Sequence, residues 1–353
     1  MKRNNELWHF KHFAVIQTAF IGDTVLTLPL IQAIRDNQPN TRITVVITPA
    51  SAPLFDCVKA VDLVIIFDKR NEHRGLKGIK MISDKLNAMK VDCVIAPHRS
   101  LRTTLLTYFT NPKFSVSFNK SAFSFLYKKR SFYDFSMHEI ERNLSLLDAF
   151  DFYDEKVLND VELKFCEEDE FIVLNNLKNI NENPICIAPG SIWNTKRWKK
   201  EGFIELIKIL KNRNYDCILI GSKADEELCS EIAALSGGYN LAGKLSLSQT
   251  IYLLKQSKLL ITNDSAPTHL AGLVKCPTVT IYGPTSPNFG FAPRGNLDRI
   301  VEISGLKCRP CRIHGSKKCP IGTFDCMEKI SAPMVAENVF EIIAHLTNFS
   351  HGK

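Results

Sequence analysis

The chain has 353 residues, 45 Lys+Arg against 37 Asp+Glu, 45% hydrophobic and 23% charged residues, and 11 cysteines. This length suits two domains, the composition is that of an ordinary soluble protein, and no run of 18 apolar residues exists to cross a bilayer. The formal charge of +8 suits an acidic partner or a membrane surface, but it is too weak and scattered to point to nucleic acid.

The start, MKRNNELWHFKHF, is basic but lacks the apolar stretch of a secretory signal. Without one, most of the cysteines are expected to be thiols in a reducing cytoplasm. Residues 12–17 read as a strand, 18–23 as a turn and 24–37 as a helix. Further strands are expected at 42–47, 63–67, 92–96 and 114–118, with an amphipathic helix over 138–150. Residues 167–183 are polar and lose periodicity, which predicts a linker between a domain at 1–166 and another at 184–353.

In the second half, strands are expected at 185–188, 217–220, 259–262 and 278–282. Helices are expected at 200–212, 224–236 and 246–256, with a short one after Ala266. Such alternation specifies βαβ units, hence an α/β protein of two doubly wound domains. Ligands bind beyond the carboxyl ends of such sheets, and two facing halves would make the cleft between them the default site.

Motifs follow the strands, as that rule requires. At 19–26 (AFIGDTVL), Gly22 is expected to make the turn from strand to helix. Asp23 suits both a helix cap and a general base, and the two roles are compatible. At 188–198 (APGSIWNTKRW), Gly190 and Ser191 allow close backbone approach, Thr195 can bond phosphate oxygens, and Lys196 and Arg197 bring the charge a diphosphate needs. At 262–270 (TNDSAPTHL), amides from Ser265 to Thr268 would face an anion at a helix start. There Asp264 could orient the loop or a ligand hydroxyl, and His269 lies one turn in.

The segment 282–287 (YGPTSP) carries turn chemistry and hydroxyls. Residues 238–244 imitate a phosphate loop only until Leu245, where Ser or Thr should stand. No Gly-x-Gly-x-x-Gly follows a strand, so the nicotinamide fingerprint is missing.

Taken in order, the segments 21–26, 189–198, 263–270 and 282–287 resemble glycosyltransferase family 9, the ADP-heptose:lipopolysaccharide heptosyltransferases, over about residues 13–339. Cys308-x-x-Cys311, Cys319-Pro and Cys326-Met are similar to the tail of the second-heptose branch. The resemblance implies a GT-B architecture: two Rossmann-like domains facing each other across a cleft, acceptor on the first, donor nucleotide-sugar on the second. It implies inverting transfer that needs no metal and no cofactor beyond ADP-heptose as co-substrate. Asp23 would be the catalytic base. Ser191, Thr195, Lys196, Arg197, Asp264, Ser265, Ala266 and His269 would line the donor site, Ala266 standing where members commonly have Gly.

The implied acceptor is an acidic glycolipid of the lipopolysaccharide inner core, which places the protein in the cytoplasm, at the inner face of the membrane. Its candidate contacts are Arg99, Arg102, His138 and Arg142, although a helix-surface salt bridge explains Glu139 and Arg142 equally well. Lys69, Arg70, Arg74, Lys77 and Lys80 form a second basic group. Residues 121–130 (SAFSFLYKKR) interleave aromatics with cations, which suits a lipid-headgroup surface or, equally, a solvated face. Cys308, Cys311, Cys319 and Cys326 could hold a structural metal or stay free thiols, although the second pair is not spaced as a standard zinc knuckle. Two other readings keep the fold: a different nucleotide-sugar donor, or a non-catalytic nucleotide-sugar-binding protein.

Overall fold

The computed structural model describes residues 10–151, 160–180 and 183–350; the basic start (1–9) and residues 181–182 of the expected linker lie outside the described residues. The chain divides into two compact units, Met1–Lys164 and Phe165–Lys353.

In the first unit the elements are β1 (His12–Gln17), α1 (Ile21–Asn37), β2 (Arg42–Ile47), β3 (Leu63–Ile66), α2 (Gly75–Ala88), β4 (Cys93–Ala96), α3 (Leu101–Thr110), β5 (Phe114–Phe118), β6 (Lys129–Ser131) and α4 (Glu139–Leu144). The six strands form one sheet in the order β3-β2-β1-β4-β5-β6, every neighbouring pair parallel. β1 is buried at every residue, as a central parallel strand covered on both faces must be, and so it reads as an unbroken apolar run. Ala14, Ile16, Val46, Ile65, Phe67 and Val94 make one core with the inner faces of α2 and α3.

The second unit contains α5 (Glu167–Leu177), β7 (Ile185–Ala188), α6 (Lys200–Lys211), β8 (Cys217–Leu219), α7 (Glu226–Ser236), β9 (Tyr239–Asn240), α8 (Leu247–Lys255), β10 (Leu259–Asn263), α9 (Ala266–Leu273), β11 (Thr278–Tyr282), β12 (Arg299–Glu302), α10 (Asp325–Glu328) and α11 (Ala332–Ser350). Its parallel sheet runs β12-β11-β10-β7-β8-β9. Counted within each unit, both sheets have the strand order 3-2-1-4-5-6, the doubly wound nucleotide-binding arrangement.

Three expectations change. The segment expected as a linker is helical over Glu167–Leu177: four acidic residues occupy its first turn, where the helix dipole favours them, and the Cys166 thiol accepts the Asp169 amide. This helix packs against α8, and the Gln249 side chain donates to Asp169 at 2.9 Å. Second, α1 begins at Ile21, so Gly22 is its second residue and not the turn. Phe20 is the extended residue that ends the loop, with φ −81° and ψ 168°. Third, the amphipathic helix expected over 138–150 ends at Leu144, and a 3-10 turn at Leu147–Ala149 follows.

Candidate functional site

In this strand order the chain leaves the two central strands toward opposite faces, opening a crevice at their carboxyl ends. Those strands are β1 and β4 in the first unit and β7 and β10 in the second. The candidate residues lie mainly on the segments that leave these four ends.

In the second unit, the chain after β7 passes Gly190, where a Cβ would lie 2.2 Å from Asp225 Oδ1. That glycine is required by a close approach inside the protein. A 3-10 turn at Asn194–Lys196 then presents Lys196, whose ammonium donates to the Asp264 carboxylate and lies 3.3 Å from the Asp264 carbonyl oxygen. The same carboxylate accepts the Thr285 hydroxyl at 2.7 Å. The Lys196 and Asp264 side chains are only 13% and 10% exposed, so the pair holds a fixed direction that a solvated one would lose.

Asn263, the last residue of β10, ties the neighbouring segment to this one. Its Oδ1 accepts the Trp198 amide at 3.0 Å, and its Nδ2 donates to the Pro189 carbonyl at 2.8 Å. Ser265 caps α9 in extended conformation, Pro267 occupies the first turn, and Ser265, Ala266 and His269 are half-buried at this helix start. A helix start of this kind offers amides and positive dipole to an anion, here beside a fixed ammonium.

Two residues expected to meet a donor are committed elsewhere. The Thr195 hydroxyl donates to the Ser316 carbonyl at 3.0 Å and accepts the Ser316 amide at 2.8 Å; a hydroxyl this buried must be satisfied, and one backbone unit satisfies it twice. Arg197 Nε donates to the Ser191 carbonyl at 2.7 Å, although the residue is exposed. The segment 308–326 packs over both loops: the Cys311 amide donates to Pro284, and Arg309 donates to the Thr285 carbonyl and pairs with Glu302.

Cys308, Cys311, Cys319 and Cys326 line one small cavity with Thr195 and Pro284, and all four are free thiols. Burial pushes the Cys319 thiol up, but the amides of Phe324, Ile321, Gly322 and Thr323 together hold it below its usual value. Among the described residues no group of three or more His, Cys, Asp or Glu side chains is placed to hold a metal ion.

In the first unit, Asp23 stands third in α1, and its carboxylate accepts the Phe20 amide at 3.3 Å. The expected cap is therefore made from inside the first turn. Across the two central strand ends, the hydroxyls of Thr18 and Thr103 meet Nδ1 of His98 at 2.9 and 3.1 Å. Burial, Lys69 and Arg99 push His98 down to about 4, so its ring is neutral at ordinary pH. Lys69 donates to the Thr18 carbonyl; burial first, then Arg102 and Arg70, holds its ammonium below the usual lysine range. Arg99 stacks on Tyr133 at 3.9 Å and Arg142 at 5.0 Å.

Arg142 is 1% exposed. It pairs with Glu139 at 2.8 Å and donates to the carbonyls of Met137 at 2.7 Å and Asp134 at 3.2 Å. Expected as an acceptor contact, it is instead a buried brace, because its many donors find carbonyls within its own loop. His138 caps α4, its ring nitrogen accepting the Ile140 amide. Arg102 is exposed on the first turn of α3. Burial raises Glu139 and Tyr133, and the Asp23 charge adds to both, which places Asp23 within electrostatic reach of this brace.

Sequence reasoning assigned no role to the side chains of Thr285, Asn263, His98 and Tyr133. Thr285 was signalled by its place after a strand; the others carry no local mark, because their roles come from what folds against them.

The family sequence model described as "Glycosyltransferase family 9 (heptosyltransferase)" matches residues 80–321. The chain is 25% identical over 305 residues to the lipopolysaccharide core heptosyltransferase OpsX of Haemophilus influenzae, covering 83% of this chain and 84% of that one. To lipooligosaccharide heptosyltransferase 2 of Campylobacter jejuni serotype O:6 it is 26% identical over 326 residues, 91% of this chain and 95% of the relative. Among solved structures it resembles the ADP-heptose lipopolysaccharide heptosyltransferase II of E. coli with a TM-score of 0.77 at 22% identity, over 95% and 99% of the two chains. The two six-stranded parallel sheets are thus those of the GT-B fold.

Proposed function

Since the chain belongs to glycosyltransferase family 9, we propose that it transfers heptose from ADP-heptose to an acidic inner-core lipopolysaccharide acceptor, with inversion at the anomeric carbon and without a metal. Asp23 takes the proton of the acceptor hydroxyl as that oxygen attacks. Its place in the first turn of α1, where it accepts the Phe20 amide, keeps the carboxylate aimed. The departing ADP gathers negative charge, which Lys196 and the amides opening α9 stabilise. Asp264 positions Lys196, with Thr285 fixing the carboxylate in turn; Ser191, Ser265, Ala266 and His269 border the donor, and Arg197 holds the loop through the Ser191 carbonyl. Arg99, Arg102 and Lys69 offer charge to the acidic acceptor, while His138 and Arg142 hold the loop beneath it. The reaction takes place on the cytoplasmic face of the inner membrane.

The observation that supports this reading most is the buried Lys196–Asp264–Thr285 group beside the start of α9. The decisive measurement offers ADP-heptose with truncated core glycolipids, one acceptor at a time, and follows heptose transfer. In parallel, thermal stabilisation by ADP-heptose, ADP and UDP-sugars is compared at equal concentration. Turnover with an adenosine preference is expected. A uridine preference would replace the donor, and adenosine-selective binding without turnover on any acceptor would leave a binding protein.

A further inference from the structure

β6 is the outer strand of the first sheet, and the chain around it is unusual for an edge. After β5 the chain turns at Asn119, runs down through a 3-10 turn at Ser124–Leu126, and returns as Lys129–Ser131. The Asn119 amide donates to the Ser131 carbonyl and the Asn119 side chain accepts the Tyr133 amide at 3.0 Å, closing the loop. Four phenylalanines on it face water: Phe123, Phe125, Phe132 and Phe135 are 54, 68, 70 and 59% exposed. Phe123 and Phe125 have ring centres 5.8 Å apart. Phe123 has φ +49°, a left-handed conformation that a bulky side chain adopts only when the surroundings impose it. Lys120, Lys128, Lys129 and Arg130 are all exposed, and between 111 and 136 the sole acid is Asp134.

Cations alone would explain an edge guarded against pairing with another strand. Exposed phenylalanines work against that purpose, since they invite association. Aromatic rings beside lysines and arginines, with Asp134 the sole acid among them, match a surface of anionic headgroups over acyl chains. We propose that the 119–135 edge of the first unit is where the protein sits on an anionic lipid bilayer, the rings entering the headgroup boundary and the cations meeting lipid phosphates. The choice of a lipid partner rests on the glycolipid acceptor proposed above; the patch itself does not. Tyr133 links the two, because its ring carries Arg99 on the same loop that exposes Phe132 and Phe135.

Flotation with vesicles of phosphatidylcholine, with and without phosphatidylglycerol and free of any sugar acceptor, tests this directly. The full chain is expected to float with the anionic vesicles and to be released by salt. Phe123→Ser/Phe125→Ser/Phe132→Ser should lower binding about tenfold or more, and so should Lys128→Glu/Lys129→Glu/Arg130→Glu, whose exposed positions leave folding intact. Both variants should keep their turnover on a soluble truncated acceptor. Vesicle binding equal to that of the unmodified protein in the charge-reversed variant overturns the proposal, as does an unmodified protein that ignores anionic vesicles. Concentration-dependent self-association, abolished by the serine variant in a protein that does not float, overturns it in favour of a second copy as partner. Asp23→Asn should float normally, so a failed transfer assay with intact flotation rejects the reaction and leaves this surface standing.

Discussion

The two units share a strand order but handle charge at their carboxyl ends in opposite ways. In the second unit the key cation is bound to a carboxylate, which is bound to a hydroxyl, whose backbone carbonyl is bound to Arg309. In the first unit Lys69 and Arg99 press on a neutral His98, and burial together with Arg102 and Arg70 depresses Lys69. A closed hydrogen-bond chain suits a ligand of constant shape, such as a nucleotide diphosphate. Cations crowded against one another suit a ligand that brings its own negative charge.

The largest expected effect tests whether the first unit supplies the base. Asp23→Asn should lower kcat about 10²–10⁴-fold with folding intact; near-normal turnover in single-turnover assays would remove Asp23 from that role. Next comes the brace beneath it. Arg142→Met should cost about 3–5 kcal/mol of stability by stranding buried Glu139, and adding Glu139→Gln should restore part of it in urea melts. If the double variant is no more stable than the single, the pair is not the brace.

In the second unit, Lys196→Ala should reduce kcat/KM about 10²–10³-fold. Loss confined to KM would mean that the cation binds the donor without favouring the transition state. The smallest effect is electrostatic. His98 takes a proton near 4 in the fold and near 6.5 when unfolded, so the unfolded chain binds more protons between those values. Stability should therefore fall as pH drops through that window, by at most about 3 kcal/mol. His98→Asn should flatten that part of the profile; an unchanged slope assigns it to other groups.

The sheets were legible because central parallel strands, buried on both faces, leave short β-branched runs such as VVI at 45–47 and ICIA at 185–188. The Asn-Asp-Ser and Pro-Gly-Ser segments were legible because carboxyl-end loops collect small and polar residues. α5 was not, since its four leading acids look like solvated loop until the helix dipole is counted. β12, Arg299–Glu302, lies at an edge and reads as charged. Thr195 and Arg142 show the deeper limit: a residue type states which bonds it can form, whereas the fold decides whether backbone or ligand receives them.

The Asn263 side chain, at the end of β10, grips the segment after β7 at two points, donating a hydrogen bond to the Pro189 carbonyl and accepting one from the Trp198 amide. An aspartate there could only accept and a leucine could do neither, so no isosteric exchange preserves both contacts. The segments leaving β7 and β10 are consequently registered to each other before any nucleotide arrives, and a displacement of one must drag its neighbour along.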